Sequence, residues 1–306
     1  MKQVVIAERF CLIGHIVSMA FGLAGLLLVV PHAEVILSLG GEVGQTAMQW
    51  SMAGGGVVYM VLGTVAVAIY AYRQLGLKPL LTFMLPSVFL SLGSELLGTS
   101  TGFPFGHYSY LSGLGYKIAG LVPFTIPLSW FYLGLVSYLI ARAGLDVDQK
   151  PSLLRHASAI GLGALILTCW DFVLDPAMSQ TALPFWYWQQ PGAFFGMPYQ
   201  NFAGWTGTGA LFMTVAAVLW RNTPLKLDRS QLSVPLVVYL SNFAFAAVMS
   251  CASGFWIPVL LGLLIGVAPV LTLWWMAQPG SSSSSASTAV AEATGISVAA
   301  VEVALK

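Results

Sequence analysis

Residues 118–141 read IAGLVPFTIPLSWFYLGLVSYLIA, without a single Asp, Glu, Lys or Arg. A helix that crosses a bilayer needs about 20 mostly apolar residues, and this stretch supplies them. The same rule, applied outward, finds charge-free runs at 10–33 and 43–72. Two shorter ones, 79–94 and 156–170, continue past Glu95 and Asp171 respectively. The run 176–220 is too long for one span. Its first half is rich in Pro, Gly and aromatics, which predicts a loop and then a helix from about Gly204. The run 230–291 is again too long, and Ser253-Gly254 with Pro258 divides it in two. The expected fold is all-α: a polytopic membrane bundle of about eight transmembrane helices.

Composition agrees. Hydrophobic residues make up 58% of the 306, charged residues 8%, and mean hydropathy is +0.83. The charged share is about a third of that in soluble domains. A water-facing surface cannot be built from it, which excludes an ordinary soluble enzyme, a nucleic-acid binder and a disordered chain. The net charge of +1 offers no field for an acidic partner. Residues 1–278 are expected to form one transmembrane domain. Residues 279–306, with serines from Ser281 to Ser285, read as a low-complexity, disordered tail.

Basic residues orient the bundle. With the N-terminus inside, Lys2, Arg9, Arg73, Lys78, Arg142, Lys150, Arg155, Arg221, Lys226, Arg229 and Lys306 all fall inside, and only Lys117 falls outside. This alternation predicts an N-in, C-in topology. The first apolar run is longer than a signal-peptide core and lacks a small-residue cleavage site before Glu34, so it reads as an uncleaved anchor. Cys11, Cys169 and Cys251 are far apart and read as small apolar residues. Gly262 and Gly266 form a GxxxG pair suited to close helix packing.

Charge inside a membrane is costly and needs a reason. Glu95, Asp171 and Asp175 lie at span depth or at a span edge. Asp171 and Asp175, four residues apart, share a helix face. The topology puts all three at a similar depth near the non-cytoplasmic side. Two unusual loops follow them. One runs from Thr99 through His107, Tyr108 and Tyr110; the other from Pro176 through Trp186, Trp188 and Asn201 to Trp205. Both are aromatic and Gly/Pro-rich with almost no charge. They are expected to fold back as an aromatic lid, because non-helical backbone at that depth must be buried in protein or line a cavity. Interfacial belts account for some of these aromatics. His15 reads as a packing histidine, and His32 and His156 as interfacial. Lys117 either pairs with a carboxylate or snorkels. One histidine without a nearby cysteine makes no closed metal site, and no dinucleotide or P-loop motif is present. The kit suits proton movement and shelter of a cation, not electron or phosphate transfer.

Several segments together resemble a known family. They are Glu95-x-x-Gly98-x-x-Thr101-Gly102-x-Pro104-Phe105-Gly106-x-Tyr108-x-Tyr110, Val122-Pro123, Ile126-Pro127-x-x-Trp130, Trp170-Asp171-x-x-Leu174-Asp175-Pro176, Trp186-x-Trp188, Phe195-Gly196-x-Pro198 and Asn201-Phe202-x-Gly204-Trp205. The pattern is similar to the membrane carotenoid-biosynthesis family that includes the CruF-type carotenoid hydratases, strongly over about 90–210. The resemblance implies addition of water across the C-1′,2′ double bond of a carotenoid ψ-end, with a γ-carotene- or lycopene-like substrate and a tertiary alcohol as product. It implies no cofactor, no metal and no nucleic acid, and a setting in the plasma or thylakoid membrane. The residues fit such a reaction. An isolated alkene needs a strong proton donor in a dry pocket, and a carboxyl in apolar surroundings stays protonated because desolvation disfavours its charge. On this reading Asp171 is the proton donor, Glu95 the base that activates water, and Asp175 tunes Asp171 or holds the water. Glu95 and Asp171 could exchange roles. Tyr108, Tyr110, Trp188 and Trp205 would line the cation, and His107 and Asn201 would orient water. The rivals are another isoprenoid or lipid enzyme, such as an isomerase or prenyl transferase, and a non-catalytic carotenoid binder or transporter.

Overall fold

The computed structural model describes residues 2–181, 183–225 and 227–279, with backbone alone at 36, 37, 39, 40 and 47–55. Lys226, and the expected tail beyond Pro279 with Lys306, lie outside the described residues.

Among the described residues, eight helices are long and apolar enough to cross a membrane, and the protein is a multi-pass integral membrane protein. Helix α1 (Lys2–Ala24) continues through a π-helical turn at Gly25–Val29 and a short 3-10 turn at Val30–His32 into α2 (Ala33–Leu75). Within α2, Gly56–Leu75 is long and apolar enough to span. The preceding stretch exposes Glu42 and Gln45 and departs from helical geometry at Gly41. Next come α3 (Leu77–Thr101), α4 (Thr125–Gly144), α5 (Leu153–Ser179), α6 (Tyr199–Leu219), α7 (Ser233–Ala252) and α8 (Trp256–Met276). Two of these starts differ from expectation. Helix α4 begins at Thr125 because residues before it pair as a short antiparallel ribbon, β2 (Lys117–Ile118) with β3 (Val122–Pro123). Helix α6 begins at Tyr199, directly after Pro198 in extended backbone.

Helices α3 and α5 both run past the acids that close their charge-free stretches. Helix α3 stops at Gly102, whose left-handed backbone (φ +81°) suits a residue without Cβ and whose N–H donates to Gly98 O at 2.8 Å. Helix α5 starts at Ser152, which caps the Arg155 N–H, and persists through Pro176 to Ser179. Asp175 therefore sits inside the helix and does not end it.

Helix α4 is the axis of the bundle, with nearly all its side chains buried against α2, α3, α5, α7 and α8. Gly262 and Gly266 of α8 bring its backbone against Phe243 and Tyr239 of α7 and against Val173 and Cys169 of α5, which is close packing of the kind expected. His15 is fully buried and fully satisfied: Nδ1 lies 2.7 Å from Tyr59 O and Nε2 2.9 Å from Asn242 Nδ2.

Both long loops close over the same end of the bundle. Strand β1 (Tyr108–Tyr110) pairs antiparallel with β4 (Trp186–Trp188), setting Tyr108 opposite Trp188 and Tyr110 opposite Trp186. Phe105 anchors the first loop in a slot between α3 and α6. A Cβ on Gly98 or Gly204 would come within 2.7 or 2.5 Å of its ring, so the slot needs glycine on both walls.

Candidate active site

Successive side chains of a strand alternate between faces. In Tyr108-Ser109-Tyr110 and Trp186-Tyr187-Trp188, the alternation turns four of six side chains to one side and leaves Tyr187 exposed. Those four meet the carboxylates of α3 and α5.

Glu95 is 3% exposed, Asp171 1% and Asp175 2%. Glu95 accepts from three donors: the Tyr108 and Tyr110 hydroxyls on Oε2, the latter at 2.9 Å, and Trp130 Nε1 on Oε1 at 2.9 Å. Asp175 accepts from Trp188 Nε1 (2.8 Å) and Ser179 Oγ (2.8 Å) on Oδ1, and from Trp186 Nε1 (3.2 Å) on Oδ2. Shells made only of donors suit an acceptor-only, ionised carboxylate, and each leaves about one lone-pair site free. Both phenols sit well above the ordinary tyrosine value, first through burial and then through the Glu95 charge, and so remain protonated donors.

Asp171 differs. Its Oδ2 accepts from Asn201 Nδ2 at 2.7 Å, while its buried Oδ1 has no partner among the described residues. Neighbouring Trp170 likewise has a buried, unpartnered Nε1. Among the described residues, no lysine or arginine bonds to any of the three acids. The acids and all their donors but Ser179 line one cavity of about 50 Å³, room for one or two waters at roughly 30 Å³ each. Aromatic faces form much of the wall: Trp130 stacks on Trp205 at 4.3 Å between centroids, and Trp170 meets Trp205 edge-on at 6.0 Å.

Among the residues singled out from sequence, Glu95, Asp171, Asp175, Tyr108, Tyr110, Trp188, Asn201 and Trp205 all line this chamber. Tyr108, Tyr110 and Trp188 do more than line it, since their polar atoms hold the acids. His107 is not brought in: it is exposed, with its ring against Gly102. The reason is register, because His107 precedes the paired strand. Lys117 neither reaches a carboxylate nor snorkels free; its ammonium donates to Tyr110 O. Trp130, Trp186 and Ser179 were missed as acid-holding groups. The i, i+4 spacing of Ser179 from Asp175 was a usable signal; the two indoles became acid donors only through tertiary contact. Among the described residues, no cluster of His, Cys, Asp and Glu has the makeup of a metal site.

A bisanhydrobacterioruberin hydratase of Haloarcula japonica is 36% identical over 121 residues, which are 40% of this chain and 39% of that protein. The aligned part is thus well under two thirds of the relative's length. No solved structure matches the chain. The family described as "Carotenoid biosynthesis protein" matches residues 55–269, from the spanning part of α2 into α8 and across every wall of the chamber. That match covers well over half of the chain, which belongs to the carotenoid biosynthesis protein family.

Proposed function

We propose that this protein hydrates the terminal C-1′,2′ double bond of a carotenoid ψ-end, giving a tertiary alcohol without a cofactor. The observation that carries the reading is the asymmetry among the acids. Glu95 and Asp175 are each wrapped in three donors, whereas Asp171 keeps one oxygen unpartnered against an aromatic chamber. The hydratase relative supports the reaction class.

In this mechanism the Asp171 carboxyl gives its proton to C-2′. The π electrons of the alkene form the new C–H bond, and positive charge develops at the tertiary C-1′. The Trp130–Trp205 stack offers π faces to that charge, each worth about 1–2 kcal/mol where water is excluded. A water attacks C-1′, and one of its protons passes to a carboxylate, Glu95 serving as base with Asp175 holding the water. That proton returns to Asp171, so the sum is addition of one H₂O. Asn201 fixes Asp171 through Oδ2 and leaves Oδ1 for the substrate. The positive-inside pattern puts the chamber near the non-cytoplasmic side, where water arrives.

Incubating the protein in nanodiscs with lycopene or γ-carotene in H₂¹⁸O without O₂ tests the reading. Hydration yields an alcohol carrying ¹⁸O. An oxygenase would need O₂, and a binder or transporter would give no alcohol; either result overturns the proposal.

A further inference from the structure

The acid chamber has room for water, but not for the end of a polyene. A cavity that takes benzene measures about 150 Å³, three times the chamber, and a ψ-end with its first double bonds is at least that large. A second cavity of about 520 Å³ adjoins it, within the usual range for sites that hold extended ligands. Three residues belong to both walls: Tyr59 of α2, Leu114 of the first loop and Met178 of α5. The second cavity runs between Gly22 of α1, Leu26 of the π-helical turn that follows, Gly56 of α2 and Phe245 of α7, roofed by 111–115 and 183–185.

The chemistry of this wall is that of a hydrocarbon site. Most of it is Gly, Leu, Val, Pro, Met and Phe. Its cation, Lys117, is bonded to the Tyr110 carbonyl. The shared wall combines fixed and adaptable parts. Tyr59 is braced by Phe245 at 5.5 Å and by His15 at 5.9 Å between ring centroids. Met178 is an unbranched side chain that repacks readily.

Building on the hydratase reading, we propose that the cavity between α1, α2 and α7 holds the polyene arm of the substrate and delivers its terminal double bond to the acid chamber past Tyr59, Leu114 and Met178, with repacking of Met178 opening the room that the chamber otherwise lacks. By the benzene yardstick it seats about three to four ring-sized units. The rest of a long carotenoid extends beyond it, so one end is presented at a time.

Full-length protein in nanodiscs tests this by lycopene retained through gel filtration, read from its visible absorbance and independent of turnover. Gly22→Phe and Leu26→Trp fill the cavity; a Cβ at Gly22 meets nothing closer than Phe245 at 3.9 Å. Val17→Trp, on the exposed face of α1, is the control for helix damage. Both filling variants should weaken retention at least tenfold, with the control at wild-type level. Wild-type retention in both filling variants overturns the proposal, and so does equal loss in all three. A phospholipid that stays in the wild-type cavity when lycopene is added also overturns it, by making the site a lipid seat. Asp171→Asn should retain lycopene while alcohol formation falls at least about 10²-fold. If the wild type binds lycopene and converts none, the hydratase reading fails, while the filling variants still report on the cavity.

Discussion

Buried acids occur in two regions of this bundle and are treated oppositely. Toward the end where α1 starts and α4 finishes, Glu8 takes a two-pronged bond from Arg73, both contacts at 2.9 Å. Asp148 takes Arg142, whose guanidinium also lies over the rings of Tyr138 and Trp220 at 5.4 and 5.6 Å. At the other end, Glu95, Asp171 and Asp175 have no cationic partner among the described residues and are held by phenols, indoles, a hydroxyl and an amide. An acid paired with arginine is neutralised and fixes helices together. An acid offered neutral donors keeps its proton chemistry adjustable. The type of partner, more than depth of burial, separates the structural acids from the candidate catalytic ones.

The contrast breaks most directly at Asp171. Asp171→Asn keeps shape and the contact with Asn201 but has no acidic proton; alcohol formation should fall about 10²- to 10⁴-fold, the usual worth of a general acid, with unchanged yield and gel-filtration profile. Substantial hydration by this variant would remove Asp171 from the mechanism. The opposite end should respond in stability. Arg142→Met removes the cation from Asp148, which is 12% exposed and keeps the Leu225 N–H as a donor, so the cost should be about 1–3 kcal/mol, below that of a fully buried pair. Denaturation should show that loss, while turnover per folded molecule stays at wild type. A lowered turnover with intact stability would erase the distinction drawn here.

Tyr108→Phe sharpens the comparison within the site. It deletes one of three donors to Glu95, and hydrogen bonds to charged groups contribute about 1.5–3 kcal/mol. Kinetics should show roughly a 10- to 150-fold drop in kcat/KM, with carotenoid retention preserved. The smallest effect belongs to Lys150→Ala. The Lys150–Asp146 pair spans 3.5 Å with the lysine 71% exposed, so its loss should move stability by less than about 0.5 kcal/mol and leave activity alone. A larger change in either would mean that exposed pairs at this end matter as much as buried ones.

Much of the site was legible because membrane burial makes charge conspicuous. Glu95, Asp171 and Asp175 stand out against apolar runs, and the i, i+4 spacing puts two of them on one face. The aromatic segments were legible as segments, through their Gly/Pro punctuation and lack of charge. Their hydrogen-bonding roles were not. Trp130 lies in the second turn of α4 and Trp186 in β4, and no local pattern says that each indole N–H meets an acid from another element. His107 shows the converse: a polar residue one position outside a three-residue pairing register faces solvent.

Sequence alone determined the number of spans, the class of fold and the identity of the unusual acids, because the bilayer penalises each misplaced charge or unsatisfied backbone group residue by residue. Only the tertiary structure decided which oxygen of which acid is left without a partner among the described residues, and that a larger cavity adjoins the chamber. Those properties come from β1–β4 pairing and from the packing of α3, α5 and α6 around Phe105, contacts between residues far apart along the chain.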